Sequence, residues 1–187
     1  MSGTSEEEII ENLLLFQDFC FAVEINISSP NTTDLKKFVN HNSIRSILKK
    51  SRKVTNLPIF IKLPRLLEIE YYDELIKATQ EFDQVGVVLC NTLPVTDSRL
   101  SVGNGGRSGK SLFDSTLSIL KYVRKSFPEI TILCSGGISS PDQAKMLLES
   151  GANALQIYTA LIYEGPGIIK EINAVSYTHL RAHETVV

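Results

Sequence analysis

Polar residues suited to binding a heterocyclic ligand occur in one apolar, strand-like run, residues 21–27, and directly after it. Alternation along this run puts Glu24, Asn26 and Ser28 on one face and the β-branched residues on the other. Polar groups that are buried without partners are costly. These side chains therefore either satisfy one another in the core or face a ligand, and the strand alone leaves both interpretations open.

Polar groups also end four further apolar runs. They are Lys62, Asn91 with Thr92, Ser135 with Gly136 and Gly137, and Tyr158 with Thr159. Ligands of parallel α/β folds bind at the carboxyl ends of the strands. Five polar strand ends therefore favour one shared binding site over the alternative of five unrelated core networks.

A glycine-rich run at residues 103–109 indicates a loop that can bind phosphate. It is not a P-loop, because that motif requires glycine where Asn104 stands and a strand directly before the loop. What remains are backbone N–H groups that can surround a phosphate. The Gly136-Gly137 turn, which leads into a helix, offers a second set of such groups.

Alternating strands and amphipathic helices must position these residues. Strands are predicted at residues 21–27, 59–63, 85–90, 131–134 and 154–158. Helices are predicted at residues 6–17, 42–51, 72–81, 114–126 and 141–150. This order is typical of βαβ units in a parallel sheet. A closed barrel requires eight strands and about 250 residues, so the chain is either an open doubly wound sheet or part of a barrel.

The composition is that of an ordinary globular domain, with 43% hydrophobic and 21% charged residues. A net charge of −2 gives no electrostatic reason to bind nucleic acid. No segment reaches the roughly 20 apolar residues needed to span a membrane, and the acidic start is unlike a signal peptide. A reducing cytosolic compartment is expected, with Cys20, Cys90 and Cys134 as buried free thiols and no metal site.

Residues 174–187 depart from the pattern, because they alternate without a helical apolar stripe. They resemble translated cloning sequence, so they are interpreted as a non-native tail that follows a domain of residues 1–173. The histidines of this segment, His179 and His183, are not interpreted as ligands.

The motif Asn26-Ile27-Ser28-Ser29-Pro30-Asn31-Thr32 resembles the N-[VI]-S-S-P-N-T motif of quinone-dependent dihydroorotate dehydrogenases. Further matches follow in the family's order. They are Ile61-Lys62, Asn91-Thr92, Gly105-Gly106-Arg107-Ser108-Gly109-Lys110, Ser135-Gly136-Gly137-Ile138-Ser139-Ser140 and Gln156-Ile157-Tyr158-Thr159-Ala160. The resemblance spans about residues 6–173. It implies an α/β fold that is a partial (β/α)₈ TIM barrel, with the last five strands and their helices.

The resemblance implies oxidation of dihydroorotate to orotate in pyrimidine biosynthesis, with FMN as cofactor and a quinone as electron acceptor. Ser29 would be the catalytic base that takes the C5 proton as hydride leaves C6. Soluble family members carry cysteine at this place, so Ser29 favours the quinone type. The implied whole protein is peripheral, on the cytoplasmic side of the membrane, and contacts it only through N-terminal helices absent from this chain.

The resemblance also assigns binding roles. The residues implied for the pyrimidine substrate are Asn26, Asn31, Asn91 and Thr92. The residues implied for FMN are Asn26, Lys62, Ser108, Gly109, Ser135, Gly136, Gly137, Tyr158 and Thr159. Amides complement a ring of alternating N–H and C=O groups, a fixed cation suits the flavin edge, and glycines let the backbone approach phosphate closely.

Two alternatives stay open. Lys62-Leu63-Pro64 leans toward the soluble family members, which use fumarate or NAD. A further alternative is an inactive partial barrel that binds only a phosphate ligand. For the isolated chain we expect poor solubility or oligomers and weak FMN binding, because strand edges and inner faces of a partial barrel lack partners.

Overall fold

The structure, a computed structural model, describes residues 1–28, 38–65, 68–101 and 103–184, with side chains described as far as residue 175. The chain divides into two compact units, Met1–Arg107 and Ser108–Val187. Each unit is described by itself below.

The first unit alternates helices with parallel strands. Its elements are α1 (Glu6–Phe16), a 3₁₀ turn (Gln17–Phe19), β1 (Val23–Asn26), α2 (His41–Ser51), β2 (Ile59–Lys62), α3 (Tyr71–Gln80), β3 (Val85–Leu89), β4 (Leu93–Thr96) and β5 (Asn104–Arg107). β1 pairs in parallel with β2, and β2 with β3. Asn26 is in register with Lys62, so the ends of these two strands are level.

The alternation predicted for β1 is confirmed. Val23, Ile25 and Ile27 are buried, whereas Glu24 and Asn26 are half-buried. Buried isoleucines of β2 and of α2 belong to the same apolar core, and α2 packs against α3. Burial of each such side chain contributes about 1.5–3 kcal/mol, which strongly disfavours a register slip that would expose this face.

A capping box with one change of partner opens α1. Ser5 Oγ accepts a hydrogen bond from the Glu8 backbone N–H at 3.1 Å. Glu8 Oε2 in turn accepts from the backbone N–H of Thr4 at 2.7 Å rather than from that of Ser5. The Glu8 carboxylate thus satisfies a backbone donor just outside the helix.

The predicted glycine-rich loop is only partly a loop. Asn104–Arg107 forms β5, which pairs antiparallel with β4 so that Pro94 lies opposite Gly106. Proline is tolerated here because the ribbon has two strands, each with a free edge. A Cβ atom at Gly105 would lie 2.9 Å from Leu100 Cδ1, so a larger residue here would displace the exposed end of the Leu100 side chain. The sequence did not predict this hairpin, because proline and glycine have low strand propensity.

The second unit continues the alternation. Its elements are a 3₁₀ turn (Lys110–Leu112), α4 (Phe113–Ser126), β6 (Ile132–Ser135), α5 (Pro141–Glu149), β7 (Ala154–Gln156), α6 (Thr159–Glu164) and α7 (Gly167–Glu184). β6 and β7 are parallel, with Ser135 in register with Gln156. Ser140 caps α5 by accepting from the Gln143 backbone N–H at 3.3 Å, and α7 packs against α5.

The expected break at residue 174 is not seen in the backbone, because α7 continues to Glu184. The buried residues described in this helix, Ile168 and Ile172, both precede the segment interpreted as a tail. Whether residues 174–187 are native stays a prediction.

The cysteine prediction is correct for two of three residues. Cys90 and Cys134 are buried free thiols, whereas Cys20 is only half-buried. Cys20 follows the 3₁₀ turn, where its thiol donates to the Phe16 carbonyl at 3.3 Å. Among the described residues, no helix is both long enough and apolar enough to cross a membrane.

Candidate ligand site at the strand ends

Three side chains form a hydrogen-bonded group at the carboxyl ends of β1 and β3, which we name the amide cluster: Asn26, Ser28 and Asn91. Asn91 Nδ2 donates to Asn26 Oδ1 at 3.0 Å and to Ser28 Oγ at 3.1 Å. Ser28 Oγ donates to the carbonyl of Lys62 at 3.0 Å. The cluster therefore ties the ends of all three parallel strands of the first unit together.

Strand register brings these residues together although they are far apart in the chain. Asn26 is the last residue of β1 and is level with Lys62 at the end of β2. The parallel ladder runs past the end of β3, because the backbone N–H of Asn91 donates to the carbonyl of Leu63 at 3.0 Å. The Asn91 side chain is thereby placed beside the end of β1.

The orientation of Asn91 is fixed from both ends of its amide. Its Oδ1 accepts from the backbone N–H of Thr92 at 2.8 Å, while its Nδ2 points into the cluster. A backbone N–H can only donate, so the oxygen must face Thr92. The predicted pair Asn91-Thr92 therefore acts as one unit at the end of β3.

A half-buried ion pair stands beside the amide cluster. Lys62 Nζ lies 3.1 Å from Glu24 Oε1, and their side chains are 18% and 27% exposed. Glu24 and Lys62 project from the same face as Asn26, as the alternation predicted. Partial burial makes this pair stronger than a surface pair, and it holds a cation at the predicted site.

Two further residues lie behind Asn91. Arg65, 7% exposed, donates to the carbonyl of Asn91 at 3.3 Å. Burial raises the pKa of the neighbouring Cys90 thiol, and the charge of Arg65 and a hydrogen bond from Tyr72 oppose this shift only partly. Sequence reasoning missed Arg65. The available signal was an arginine just after the predicted strand of residues 59–63, close in sequence to Lys62.

The second unit contains another set of predicted site residues, which we name the glycine cluster: Ser108, Gly109, Gly136, Gly137 and Thr159. Thr159 Oγ1 donates to Ser108 Oγ at 3.0 Å. A Cβ atom at Gly109, whose φ is +90°, would lie 3.1 Å from Thr159 Cγ2. These three residues therefore fit together only because position 109 has no side chain.

The Gly136-Gly137 turn is held against α4. Gly137 has φ +82°, and a Cβ atom there would lie 2.7 Å from the backbone Cα of Phe113. Gly136 offers its carbonyl to the buried hydroxyl of Thr116 at 2.9 Å. Backbone, not side chains, thus lines this turn, which suits an anion held by N–H groups.

Four predicted site residues belong to neither cluster as described above: Ser135, Tyr158, Ser29 and Asn31. Ser135 is the half-buried last residue of β6, and Tyr158 is 76% exposed just before α6. Ser29 and Asn31, the predicted base and one predicted substrate ligand, lie outside the described residues. The structure thus groups Asn26, Lys62, Asn91 and Thr92 in one unit.

Comparisons with known proteins show which family the chain is similar to. The family model for dihydroorotate dehydrogenase matches residues 1–175. The dihydroorotate dehydrogenase (quinone) of Nautilia profundicola is 34% identical over 176 residues, which cover 91% of this chain and 49% of that protein. The protein of the same name from Corynebacterium striatum is 34% identical over 167 residues, covering 85% and 46%.

Solved structures show the same fold. The crystal structure of DHODH from Eimeria tenella in complex with ferulenol superimposes with a TM-score of 0.82 at 23% identity, over 96% of this chain and 55% of that one. This likeness confirms the predicted partial (β/α)₈ fold and disfavours the open doubly wound sheet. The chain spans about half the length of the curated relatives it matches. By its family model and its relatives, the chain belongs to the dihydroorotate dehydrogenase family.

Proposed function

We propose that this chain supplies the carboxyl-terminal half of a quinone-dependent dihydroorotate dehydrogenase, which oxidises dihydroorotate to orotate. The observation that carries the proposal is the Asn91 to Asn26 hydrogen bond at the strand ends, 3.0 Å long and 65 residues apart in sequence. It places neutral amides where ligands of this fold bind. Family membership then selects the pyrimidine as the ligand.

Substrate binding is assigned to Asn26, Asn31, Asn91 and Thr92. Dihydroorotate has a ring with alternating N–H and C=O groups, which amide donors and acceptors complement. Half-burial of Asn26 and Asn91 reduces competition from water. The cluster carries no net charge, so it selects by hydrogen-bond pattern while Lys62 supplies a cation beside it.

Proton removal is assigned to Ser29, which follows Ser28 of the amide cluster in sequence. A serine hydroxyl is a weak base, so it passes the C5 proton on to water or to a neighbouring group. The carbonyl next to C5 makes this carbon acid easier to deprotonate. The hydride from C6 is accepted by FMN when the cofactor is bound.

The residues of the second unit fit the phosphate of FMN. Gly109 and Gly137 both have positive φ, and a Cβ atom at Gly137 would collide with the backbone of Phe113, so glycine at these positions lets the backbone approach an anion closely. Ser108 and Thr159 add hydroxyls, and Ser135, Gly136 and Tyr158 complete the proposed set. Lys62 and Asn26 would meet the isoalloxazine ring with a cation and an amide.

The quinone type is proposed on two grounds. Ser29 stands where the soluble members carry cysteine, and both curated relatives are named for quinone. A peripheral location on the cytoplasmic side of the membrane belongs to the same proposal. Contact with the membrane would come from helices outside this chain.

A chimera tests the function. Residues 1–175 replace the matching half of the Nautilia profundicola protein, and dihydroorotate oxidation is followed with a soluble quinone or with fumarate. We expect activity with quinone and little with fumarate. A chimera that binds FMN but is not reduced by dihydroorotate would refute the proposal, and a preference for fumarate would refute the quinone type.

A further inference from the structure

We propose that Ser28 is a positioning residue: its hydroxyl holds the Asn91 amide and its backbone N–H holds the Asn26 amide, so that Asn26 presents N–H donors, and not its oxygen, to the pyrimidine. This inference rests on the proposed function for the identity of the ligand. The hydrogen bonds that support it lie entirely within the first unit.

The orientation of the Asn26 amide follows from the backbone N–H of Ser28, which can only donate a hydrogen bond. The backbone N–H of Ser28 points at the Asn26 amide at 3.2 Å. An N–H cannot accept, so the atom facing it must be Oδ1 and not Nδ2. Asn91 Nδ2 donates to the same oxygen at 3.0 Å. Both lone pairs of Asn26 Oδ1 are thus engaged, which leaves Nδ2 on the other side of the amide from these two donors.

The hydroxyl of Ser28 completes the arrangement. It accepts the second Nδ2 hydrogen of Asn91 at 3.1 Å and donates its own hydrogen to the Lys62 carbonyl at 3.0 Å. Its separation from Asn26 Oδ1 is 3.5 Å, so the shorter Lys62 contact takes the hydrogen. Without this hydroxyl, one Asn91 hydrogen loses its acceptor, and the amide is held only by Thr92 and Asn26.

The orientation of the Asn26 and Asn91 amides determines which hydrogen-bonding groups a ligand must offer. Asn26 can donate to a ring carbonyl oxygen, whereas Asn91 retains one lone pair on Oδ1 beyond its bond with Thr92. A carbonyl beside an N–H, as in a pyrimidinedione, matches this donor and acceptor pair. A ring that offers only donors to Asn26 would leave two N–H groups facing each other.

Side-chain amide NMR of the full chain tests the positioning. Ser28→Ala should shift and broaden the Nδ2 signals of Asn26 and Asn91 and speed their hydrogen exchange. Ser28→Thr, which keeps the hydroxyl, should restore them. Ser46→Ala is the matched control, because Ser46 Oγ contacts Glu6 on a different face of the unit. If Ser28→Ala does not fold, Ser28→Cys keeps the volume but provides only a weak acceptor.

Orotate titration of the same substitutions in the chimera tests the consequence. We expect Ser28→Ala to weaken orotate binding about 3- to 10-fold, the scale of one lost neutral hydrogen bond, with recovery in Ser28→Thr and no change in Ser46→Ala. Unchanged amide signals in Ser28→Ala would overturn the positioning role. If the unmutated chimera does not bind orotate, the proposed function fails, and the amide signals alone decide the role of Ser28.

Discussion

Lys62 Nζ, at the end of β2, lies 3.1 Å from Oε1 of Glu24, which lies within the adjacent strand β1, although 38 residues separate them in the chain. β1 and β2 are parallel and in register, so their half-buried side chains lie on the same face. The pair therefore sets the charge beside the amide cluster. It also ties this charge to the stability of the first unit.

Glu24→Gln is expected to lower the free energy of unfolding by about 1–3 kcal/mol, because the Lys62 ammonium stays half-buried and loses a charged partner. Denaturant unfolding measures this. Glu7→Gln is the control: Glu7 pairs with Lys50 at 2.9 Å on the surface, and its loss should cost much less, because solvent screens an exposed pair. Equal effects of the two substitutions would contradict the special role of Glu24.

The strands and the polar residues at their ends could be predicted from the sequence, because an apolar run that stops at Lys62 or at Asn91 is typical of a buried parallel strand that ends at a ligand site. The β4–β5 hairpin could not, since Pro94 and the glycines of 104–107 argue against a strand. Pairing between the two segments overrides that local preference.

The role of Ser28 was also beyond sequence reasoning. Its motif identifies a turn and its alternation identifies a face, but the hydrogen bonds of its hydroxyl with Lys62 and Asn91 depend on the register of three strands. The same holds for Arg65, whose contact with the Asn91 carbonyl joins two segments that follow different strands. Local patterns place residues at an edge of the sheet, and tertiary geometry decides which atoms meet.

Ser29→Ala in the chimera is expected to keep FMN bound and to slow flavin reduction by dihydroorotate about 100-fold or more, the scale of a lost general base. Stopped-flow absorbance at the flavin band measures the rate. Ser29→Cys should keep partial activity with a lower pH optimum, because a thiol ionises closer to neutrality. An unchanged rate in Ser29→Ala would remove Ser29 from the mechanism.

Gly137→Ala should destabilise the second unit strongly. Its φ of +82° disfavours any side chain, and the added Cβ atom would meet the backbone of Phe113 at 2.7 Å. Gly165→Ala is the matched control, since Gly165 has φ +75° with nothing within 4 Å. We expect the control to cost about 1 kcal/mol from backbone strain alone and Gly137→Ala at least about 2 kcal/mol more. Similar losses would contradict the packing argument.

Cys90 should make stability fall at alkaline pH. Burial raises the pKa of its thiol above the ordinary value of 9.0. As pH rises past that value, the unfolded chain releases the thiol proton while the native state retains it, so unfolding becomes more favourable. Free energies of unfolding at about pH 8 and about pH 10 measure the slope. Cys90→Ala should flatten it, and an unchanged slope in this variant would contradict the role of the thiol.

Exposed aromatic side chains between α1 and β1 predict self-association of the chain. Phe19 and Phe21 are 86% and 96% exposed, and apolar groups so close together on a surface favour contacts between copies. The double substitution Phe19→Ser with Phe21→Ser should therefore raise the soluble, monomeric fraction measured by size-exclusion chromatography with light scattering. Tyr163→Ser is the control, because Tyr163 is 82% exposed in the other unit and should have a smaller effect.

Truncation after Val175 should not have the same effect. Ile168 and Ile172, the buried residues described in α7, remain in the shortened chain, so the packing of α7 on α5 is kept and the exposed phenylalanines are unchanged. The truncated protein is expected to associate as the full chain does and to bind FMN equally weakly in a fluorescence titration. If truncation alone yielded a monomer, the cause of association would lie in residues 176–187 and not in the α1–β1 connection.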